Sequence, residues 1–341
     1  MLDDRKKQIL NFVVSTYMAT GEPVGSKALI ERNNLTVSSA TIRNEMLELE
    51  RLGYLCKPHT SAGRIPSSEG LRFYAKNTSN SYSLSQREMS LLVPAFRSCV
   101  GLMEMLKTAT NCLAEFTGCT VFSAAPAYGD GCFNFEVMPA GNKTIAIMAI
   151  SRNGAVKSVF SRVETDVTPD DAMKMTKILN TVFAGLPVNQ IGSVRLMLFK
   201  NELNKNCPQY DCVVVPVMNL VDQIKSYELC ISGSSNLLSY PEFSNIEAAR
   251  EYMELLNRRE DILNELLQTG EEGKISIKIG DETNLIKTAD AGVVSVNQKD
   301  RIPLIIGVLG PARMNYSRII AGCRHVVMQL KEQIAHDENM N

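Results

Sequence analysis

The hydrophobic pattern of the N-terminal region predicts three short helices. Apolar residues from Ile9 to Tyr17 recur at helical spacing, behind two aspartates that suit the positive N-terminal end of a helix dipole. Glycines and a proline at positions 21–25 interrupt this pattern, and a second helix is expected directly after them. A third helix is predicted to begin at Ser38 or Ser39 and to end at Gly53. Three helices joined by tight turns are typical of a helix-turn-helix.

The third predicted helix has two different faces. At about 100° per residue, its apolar face is Ile42, Met46 and Leu49, flanked by Leu52, and this face is expected to pack on the first two helices. The residues that point away are Ala40, Thr41, Asn44, Glu48 and Arg51, with Arg43 at the edge. A DNA-reading helix uses its N-terminal residues to reach base edges. An ordinary amphipathic helix with a solvated polar face has the same pattern, so both interpretations stay open at this point.

A short hairpin is predicted after the third helix. Tyr54 to Cys56 form a strand, and residues 57–65 form a turn-rich loop and a second short strand. The basic and hydroxyl side chains of this hairpin would contact DNA phosphates. They are Lys57, His59, Thr60, Ser61 and Arg64. A further helix is expected from Ser67 or Ser68 through Tyr74, and the polar segment TSNSYSLS after it is a candidate linker.

The rest of the chain alternates between helical and extended patterns. One or two helices are predicted between Gln86 and Phe116, with Pro94 near a break. The predicted strands are Thr120–Ala125, Phe133–Pro139, Thr144–Ile150, Ala155–Val163, Leu229–Ser232, Ile275–Ile279, Val293–Asn297 and Leu304–Leu309. The predicted helices are Pro169–Phe183, Gln190–Lys205, Cys212–Ser226, Ile246–Gln268 and Tyr316–Ile334. Gly141-Asn142 and Asn153-Gly154 stand at two strand connections, where they indicate hairpin turns.

Composition and charge refine this picture. With 341 residues, 45% of them hydrophobic and 21% charged, the chain is expected to form two or three ordinary globular domains. A polar N-terminus, no apolar run near the ~18–20 residues of a membrane helix and nine cysteines without a CxxC pair predict a soluble cytoplasmic protein with reduced thiols. Residues 1–76 carry eleven Lys and Arg against eight Asp and Glu, a net charge of +3, and the remainder carries −4. A basic module on an acidic body suits a DNA reader.

Other chemistries find little support in the sequence. Gly141 to Thr144 resembles the end of a phosphate loop, but Asn142 separates the glycine from the lysine, so a hairpin turn is favoured. Gly307 to Pro311 follows a buried strand, where a structural turn is favoured over an anion site because Pro311 lacks an N–H donor. The three histidines, His59, His325 and His336, have no acidic or cysteine partners at ligand spacing. No catalytic residue, metal site or cofactor is therefore predicted.

Two regions resemble a known family of bacterial repressors. The segments TGEPVGSKALIER, VSSATIRNEMLELERLGYL and KPHTSAGRIPSSEGLRFY resemble the winged-helix module of the HrcA family of heat-inducible transcription repressors. GVLGPARMNYSRIIAGCRHV, residues 307–326, resembles the C-terminal signature of the same family. Leu71 departs from the aromatic residue that relatives often carry there, which affects packing.

The resemblance implies an α+β fold with three parts. Residues 1–78 would form a winged helix-turn-helix DNA-binding domain, residues 86–127 and 227–341 a GAF-like domain, and residues 128–226 an inserted dimerisation domain. It also implies a homodimer that binds double-stranded DNA at the CIRCE inverted repeat of chaperone operons, with activity that depends on the chaperonin and with no membrane association.

The expected DNA contacts divide between the helix and the wing. Asn44 would pair with adenine and Arg43 with guanine or a phosphate, because these side chains form bidentate contacts with those bases. Ser38, Ser39 and Thr41 stand at the helix start, where Ser39 and Thr41 are short enough for phosphate or base contacts.

Two other functions have less support in the sequence. A transcription factor controlled by a small metabolite would need a polar pocket that the sequence does not reveal, and an enzyme would need a catalytic constellation.

Overall fold

The chain is built from both helices and antiparallel sheets. The computed structural model describes residues 2–33, 38–59, 62–79, 81–92, 99, 101–126, 133–151, 156–186, 190–268, 275–283, 285–287, 290–299 and 303–340. The α-helices are α1 Asp4–Thr20, α2 Ser26–Asn33, α3 Ser39–Arg51, α4 Ser68–Thr78, α5 Gln86–Leu92, α6 Leu102–Thr117, α7 Pro169–Phe183, α8 Ser193–Asn206, α9 Val214–Lys225, α10 Ile246–Asn257, α11 Arg259–Leu267 and α12 Tyr316–Met340. The strands are β1 Leu55–Cys56, β2 Ile65–Pro66, β3 Thr120–Pro126, β4 Phe133–Pro139, β5 Thr144–Ser151, β6 Val156–Arg162, β7 Tyr227–Ser232, β8 Ile275–Ile279, β9 Ala291–Lys299 and β10 Pro303–Pro311. The predicted mixture of helix and sheet is confirmed.

Local capping explains where the N-terminal helices begin and end. The carboxylate of Asp3 accepts the Lys6 N–H at 2.8 Å and starts α1. Gly21 ends α1 in the left-handed conformation, φ 72°, which glycine adopts without a steric penalty. The hydroxyl of Ser67 accepts the Gly70 N–H at 3.1 Å and starts α4. Asp3 and Ser67 therefore start these helices and Gly21 ends α1, near the positions where the sequence predicts their ends.

A short hairpin follows α3 and pairs with the loop before α2. Within it, Leu55 is opposite Pro66 and Cys56 is opposite Ile65. Val24 and Arg64 exchange two backbone hydrogen bonds, of 2.8 and 2.9 Å, so Val24 extends this small sheet. A Cβ atom on Gly63 would lie 2.5 Å from the Val24 carbonyl oxygen. Only glycine allows the two backbones to approach this closely.

A five-stranded antiparallel sheet forms the centre of the body. Its strand order is β7-β3-β10-β9-β8. One face packs on α6 and α12, with Val294, Ile306 and Val308 pointing into that core. The opposite face packs on α10 and α11 through Val293 and Ile305. Because both faces are covered, neighbouring residues of β9 and β10, such as Val293 and Val294 or Ile305 and Ile306, are all buried.

A three-stranded sheet and three helices form a second packed unit. Its order is β4-β5-β6, and α7, α8 and α9 share one core with it whose buried residues all lie between Phe133 and Ile224. The turn between β4 and β5 is made by residues 141–143, with Asn142 and Lys143 also at positive φ. This confirms the hairpin turn predicted at Gly141-Asn142. The second predicted turn, Asn153-Gly154, lies outside the described residues.

Two elements differ from the prediction. The single helix predicted from Ile246 to Gln268 is two helices, separated at Arg258, whose φ of −90° and ψ of 64° are not helical. The apolar spacing continues across this break, so hydrophobic periodicity cannot reveal it. The predicted turn at Gly307–Pro311 is wrong because these residues form the end of β10.

The two glycines of that strand serve close packing. A Cβ atom on Gly307 would lie 2.3 Å from Leu266 of α11, and one on Gly310 would lie 2.8 Å from the sulfur atoms of Cys119 and Met314. Glycine is needed here because neighbouring side chains fill the space that a Cβ would take.

One apolar core connects the N-terminal helices with the body. Buried residues of α1 and α3, among them Leu10, Val13 and Ile42, belong to the same hydrophobic cluster as Ile320 and Val327 of α12. Partly buried aromatic side chains of α4 pack against this cluster as well. The helices that precede the hairpin are therefore connected to the body through α4, which packs on α12 and β8.

Candidate nucleic-acid interface

The start of α3 is organised by three hydroxyl groups. Ser38 is the N-cap: its Oγ accepts the Thr41 N–H at 3.1 Å and lies 2.8 Å from the Thr41 Oγ1. The Ser39 Oγ lies 2.9 Å from the Ser26 Oγ at the start of α2. These hydroxyls hold the helix start in place and join it to α2. Hydroxyl groups keep further donor and acceptor capacity beyond these contacts.

The two faces of α3 are arranged as predicted, with one exception. Ile42, Met46 and Leu49 are buried, and Arg43 and Asn44 are exposed. The exception is the side chain predicted to flank the buried face. Leu52 is the C-cap residue of α3, and it is 54% exposed because the chain leaves the helical path there.

Arg43 and Asn44 are exposed in the first two turns of α3, whose start is capped by Ser38. The first N–H groups of a helix have no partner within it and carry a partial positive charge. A guanidinium and an amide in this position combine attraction for phosphate with groups that form paired hydrogen bonds to base edges. The helix start can therefore bind an anionic, hydrogen-bonding surface.

The hairpin places its polar side chains at different depths. Lys57 and His59 are exposed. Thr60 and Ser61, also predicted to bind DNA, lie outside the described residues. Arg64 is only 15% exposed, and its guanidinium pairs with Glu50 near the end of α3, with N–O distances of 2.7 and 2.8 Å.

Acidic residues of α3 fix this helix to its neighbours. These residues are not identified from the sequence, because basic and hydroxyl side chains are the ones selected as DNA contacts. Glu45 lies 3.4 Å from the Lys6 ammonium and 3.8 Å from the Arg5 guanidinium of α1. Glu50 holds Arg64 of the hairpin. Glu45 and Glu50 thus orient α3 between α1 and the hairpin. Their partners lie far away along the chain, so the spacing of residues in the sequence does not predict these ion pairs.

The described residues contain neither a metal-binding cluster nor a membrane-spanning helix. In the described ranges, no group of three or more His, Cys, Asp or Glu side chains could hold a metal ion. No helix among the described residues is long and apolar enough to cross a bilayer.

Comparison with known proteins identifies the class to which this chain belongs. A family model described as "HrcA protein C terminal domain" matches residues 103–320. A protein from Acetivibrio thermocellus, named heat-inducible transcription repressor HrcA, is 32% identical over 98% of this chain and 96% of its own length. A protein of the same name from Clostridium acetobutylicum is 31% identical over 100% of this chain and 99% of its own. The class is that of transcription repressors, which are regulators and not enzymes. The chain belongs to the HrcA family.

A solved structure shares the fold. It is described as that of a hypothetical protein, with 24% sequence identity, a TM-score of 0.62 and coverage of 97% of this chain and 98% of its own. The resemblance predicted from the residues of both chain ends is therefore confirmed at the level of the family.

Proposed function

We propose that this protein is a sequence-specific DNA-binding repressor of heat-shock operons. The observation that carries the proposal is the exposed start of α3, with Arg43 and Asn44 pointing outward beside a hairpin that bears Lys57 and His59. Helices α1 to α3 followed by β1 and β2 fit a winged helix-turn-helix, in which a helix enters the major groove and the wing follows the backbone.

The proposed contacts divide by chemistry. Asn44 reads adenine, and Arg43 reads guanine or holds a phosphate, because both side chains form paired hydrogen bonds to those groups. Ser38, Ser39 and Thr41 fix the helix start and approach the backbone with their remaining hydrogen-bonding capacity. Lys57, His59, Thr60 and Ser61 hold phosphates from the wing, whereas Arg64 acts mainly through Glu50, its partner at 2.7 Å. Base contacts set sequence preference, and phosphate contacts set register and affinity.

The body is proposed to contain an inserted domain. Strands β3 and β7 are neighbours in the five-stranded sheet, with Pro126 opposite Tyr227. The chain therefore leaves the sheet after residue 126 and returns beside the same point. Together with the separate core between Phe133 and Ile224, this supports an insertion at residues 128–226 within a GAF-like domain of residues 86–127 and 227–341, after a DNA-binding domain of residues 1–78.

The inserted domain is proposed to join two copies of the chain. One face of its sheet carries Phe160, Ala146 and Met138 on three successive strands, according to the register. The exposed fractions are 67% for Phe160, 51% for Val156 on the same face, and 50% for Met138. An apolar sheet face of this kind is typical of an interface between protein chains. A two-fold dimer would match an inverted repeat.

The proposed operator is the CIRCE inverted repeat, and the proposed second partner is the chaperonin. Relatives carry the name heat-inducible transcription repressor, and a repressor acts where the DNA is, in the cytoplasm. The chaperonin would keep the repressor competent until heat-denatured proteins occupy it. Exposed apolar side chains on helices of the inserted domain, such as Val194 and Met197, add apolar surface of the kind that chaperonins bind.

The test is binding to the operator duplex at two salt concentrations. We expect the CIRCE duplex to bind at least about 10³-fold more tightly than scrambled DNA of equal length. Equal affinity for both duplexes would exclude sequence-specific repression. A footprint on the protein's own chaperone promoter, with and without chaperonin, tests the second partner: protection that does not depend on the chaperonin would exclude its role.

A further inference from the structure

Two contacts join the DNA-binding region to the body, and one holds the segment that connects them. The first joins α4 to the segment after β8. Arg72 forms a bidentate ion pair with Glu282, with N–O distances of 2.6 and 3.1 Å. Glu282 is itself oriented by the Ile279 N–H, which it accepts at 3.3 Å. An arginine fork on a carboxylate that is already oriented restricts rotation more than a single ion pair does.

The second contact fastens the segment between α4 and α5, the predicted linker. The Glu88 carboxylate accepts hydrogen bonds from the Tyr82 hydroxyl at 2.8 Å, the Ser85 N–H at 3.0 Å and the Ser85 hydroxyl at 2.9 Å. Arg318 of α12 donates to the same carboxylate at 3.0 Å and to the Phe116 carbonyl at 3.0 Å. The Arg318 guanidinium also lies 4.0 Å from the centre of the Phe116 ring. The linker is thus bound to both helices on one face of the central sheet.

The third contact lies at the end of α1. A Cβ atom on Gly21 would lie 3.6 Å from the Arg313 Nε. Arg313 is held by Glu242, with an N–O distance of 2.6 Å, and its guanidinium lies 6.0 Å from the centre of the Tyr240 ring. The C-terminal end of α1 therefore packs against Arg313, which Glu242 and Tyr240 of the body hold in place.

We propose that the Arg72–Glu282 and Glu88–Arg318 pairs determine which spacing between operator half-sites this repressor accepts. Along the chain, Arg72 precedes and Glu88 follows the start of the segment that connects α4 to α5, and with it the DNA-binding region to the body. With these pairs formed, α3 keeps one position relative to the body. The inference rests on the proposed function, because a fixed α3 sets half-site spacing only if the body holds two copies together.

The physical consequence concerns avidity. Linking two binding modules increases apparent affinity by about 10²–10⁴-fold, but only when both engage at once. Because B-DNA turns once in about 10–10.5 base pairs, a spacer longer by five base pairs moves one half-site to the opposite side of the helix. A dimer in which α3 is fixed to the body can no longer bind the second half-site. A dimer whose DNA-binding regions are attached by a loose linker can still bind it and keeps part of the avidity.

The experiment compares Glu282→Gln, Glu88→Gln and the double variant with the full-length wild-type protein. The matched control is Glu254→Gln, which removes the same charge from an exposed ion pair within α10. Affinity is measured for the inverted repeat with its native spacer, for the repeat lengthened by five base pairs, for a single half-site and for scrambled DNA. The single half-site reports whether α3 and the hairpin remain intact.

For the wild type and the control, we expect the native spacer to be preferred over the long one by about 100-fold. In the double variant this ratio is expected to fall by at least about tenfold, within the same avidity range, with half-site affinity unchanged. If the double variant prefers the native spacer over the long one as strongly as Glu254→Gln does, the proposal is overturned. If the wild type does not distinguish the repeat from scrambled DNA, the proposed function fails instead.

Small-angle scattering without DNA provides the second measurement. The double variant is expected to have a larger radius of gyration than the control at the same oligomeric state. Identical scattering profiles would show that these two pairs do not hold the region in place, and would overturn the proposal independently of DNA binding.

Discussion

The guanidinium of Arg64 lies 2.7 Å from the carboxylate of Glu50, which joins the hairpin to the end of the proposed reading helix. The sequence predicts Arg64 as a phosphate contact equivalent to Lys57. The ion pair with Glu50 compensates the charge of Arg64 within the protein. We therefore propose that Arg64 orients the wing and that the exposed Lys57 contacts phosphate.

The first prediction concerns the salt dependence of binding. Lys57→Ala is expected to weaken binding to all sequences and to reduce the slope of log affinity against log salt by about 1, the value for one lost phosphate contact. Arg64→Ala is expected to weaken binding with the slope unchanged, because its charge is paired with Glu50. Titrations at several salt concentrations measure both slopes. A slope reduced equally in both variants would place Arg64 on a phosphate.

The second prediction concerns sequence discrimination. Arg43→Ala and Asn44→Ala are each expected to reduce the preference for operator over scrambled DNA by about 1–3 kcal/mol, the value of one bidentate base contact. Arg51→Ala is the matched control, since it removes the same charge from the other end of α3. Competition binding compares the variants. If Arg51→Ala lowers the preference as much as Arg43→Ala, the start of the helix is not the reading end.

The third prediction concerns the close backbone contact at Gly63. Gly63→Ala places a Cβ within 2.5 Å of the Val24 carbonyl oxygen, and it is expected to reduce the free energy of unfolding by about 1–3 kcal/mol, as overpacking does. Gly25→Ala is the control because a Cβ there meets no atom within 4 Å. Chemical denaturation measures both variants. Equal stability would mean that the hairpin moves away from Val24 at no cost.

The fourth prediction concerns the proposed dimer. Phe160→Lys introduces a charge on the open sheet face, on the edge strand β6, and is expected to convert the proposed dimer to a monomer. Met197→Lys is the control, because Met197 is similarly exposed, at 66% against 67%, but lies on α8. Sedimentation velocity distinguishes the two states. A Phe160→Lys dimer would place the interface on another surface.

The fifth prediction concerns pH. Hydrogen bonds from the Ser85 backbone N–H, the Tyr82 hydroxyl and Arg318 lower the pKa of Glu88 from 4.5 to about 2. A carboxyl group with a lowered pKa in the folded state contributes stability above its unfolded pKa and loses it as the pH falls towards the folded pKa. The stability difference between wild type and Glu88→Gln should therefore be full above about pH 5 and should shrink as the pH falls to about 2. A difference that is constant from pH 7 to pH 3 would contradict this assignment.

The sequence predicts those features that depend on neighbours along the chain. The caps at Asp3 and Ser38, the two faces of α3 and the turn at residues 141–143 all follow from local patterns, and the structure confirms them. The exposed positions of Arg43 and Asn44 follow from the same helical spacing. Which bases these residues contact remains a prediction.

The features that the sequence does not predict depend on distant partners. Gly307 and Gly310 look like turn residues, but their glycine requirement comes from Leu266 and Cys119, which lie far away along the chain. Glu50 pairs with Arg64, fourteen residues away along the chain. Arg72 pairs with Glu282, which is 210 residues away along the chain. No periodicity records such pairs, because they depend on how the elements pack.

The continuous core described for α1, α3 and α12 has a thermal consequence. Among the described residues, the buried side chains of α1 and α3 join the core of the body through α4, which packs on both α12 and β8. Contiguous packed elements open together as cooperative units. Heating is therefore expected to disrupt the proposed DNA interface in the same transition that loosens the packing of α4 on the body.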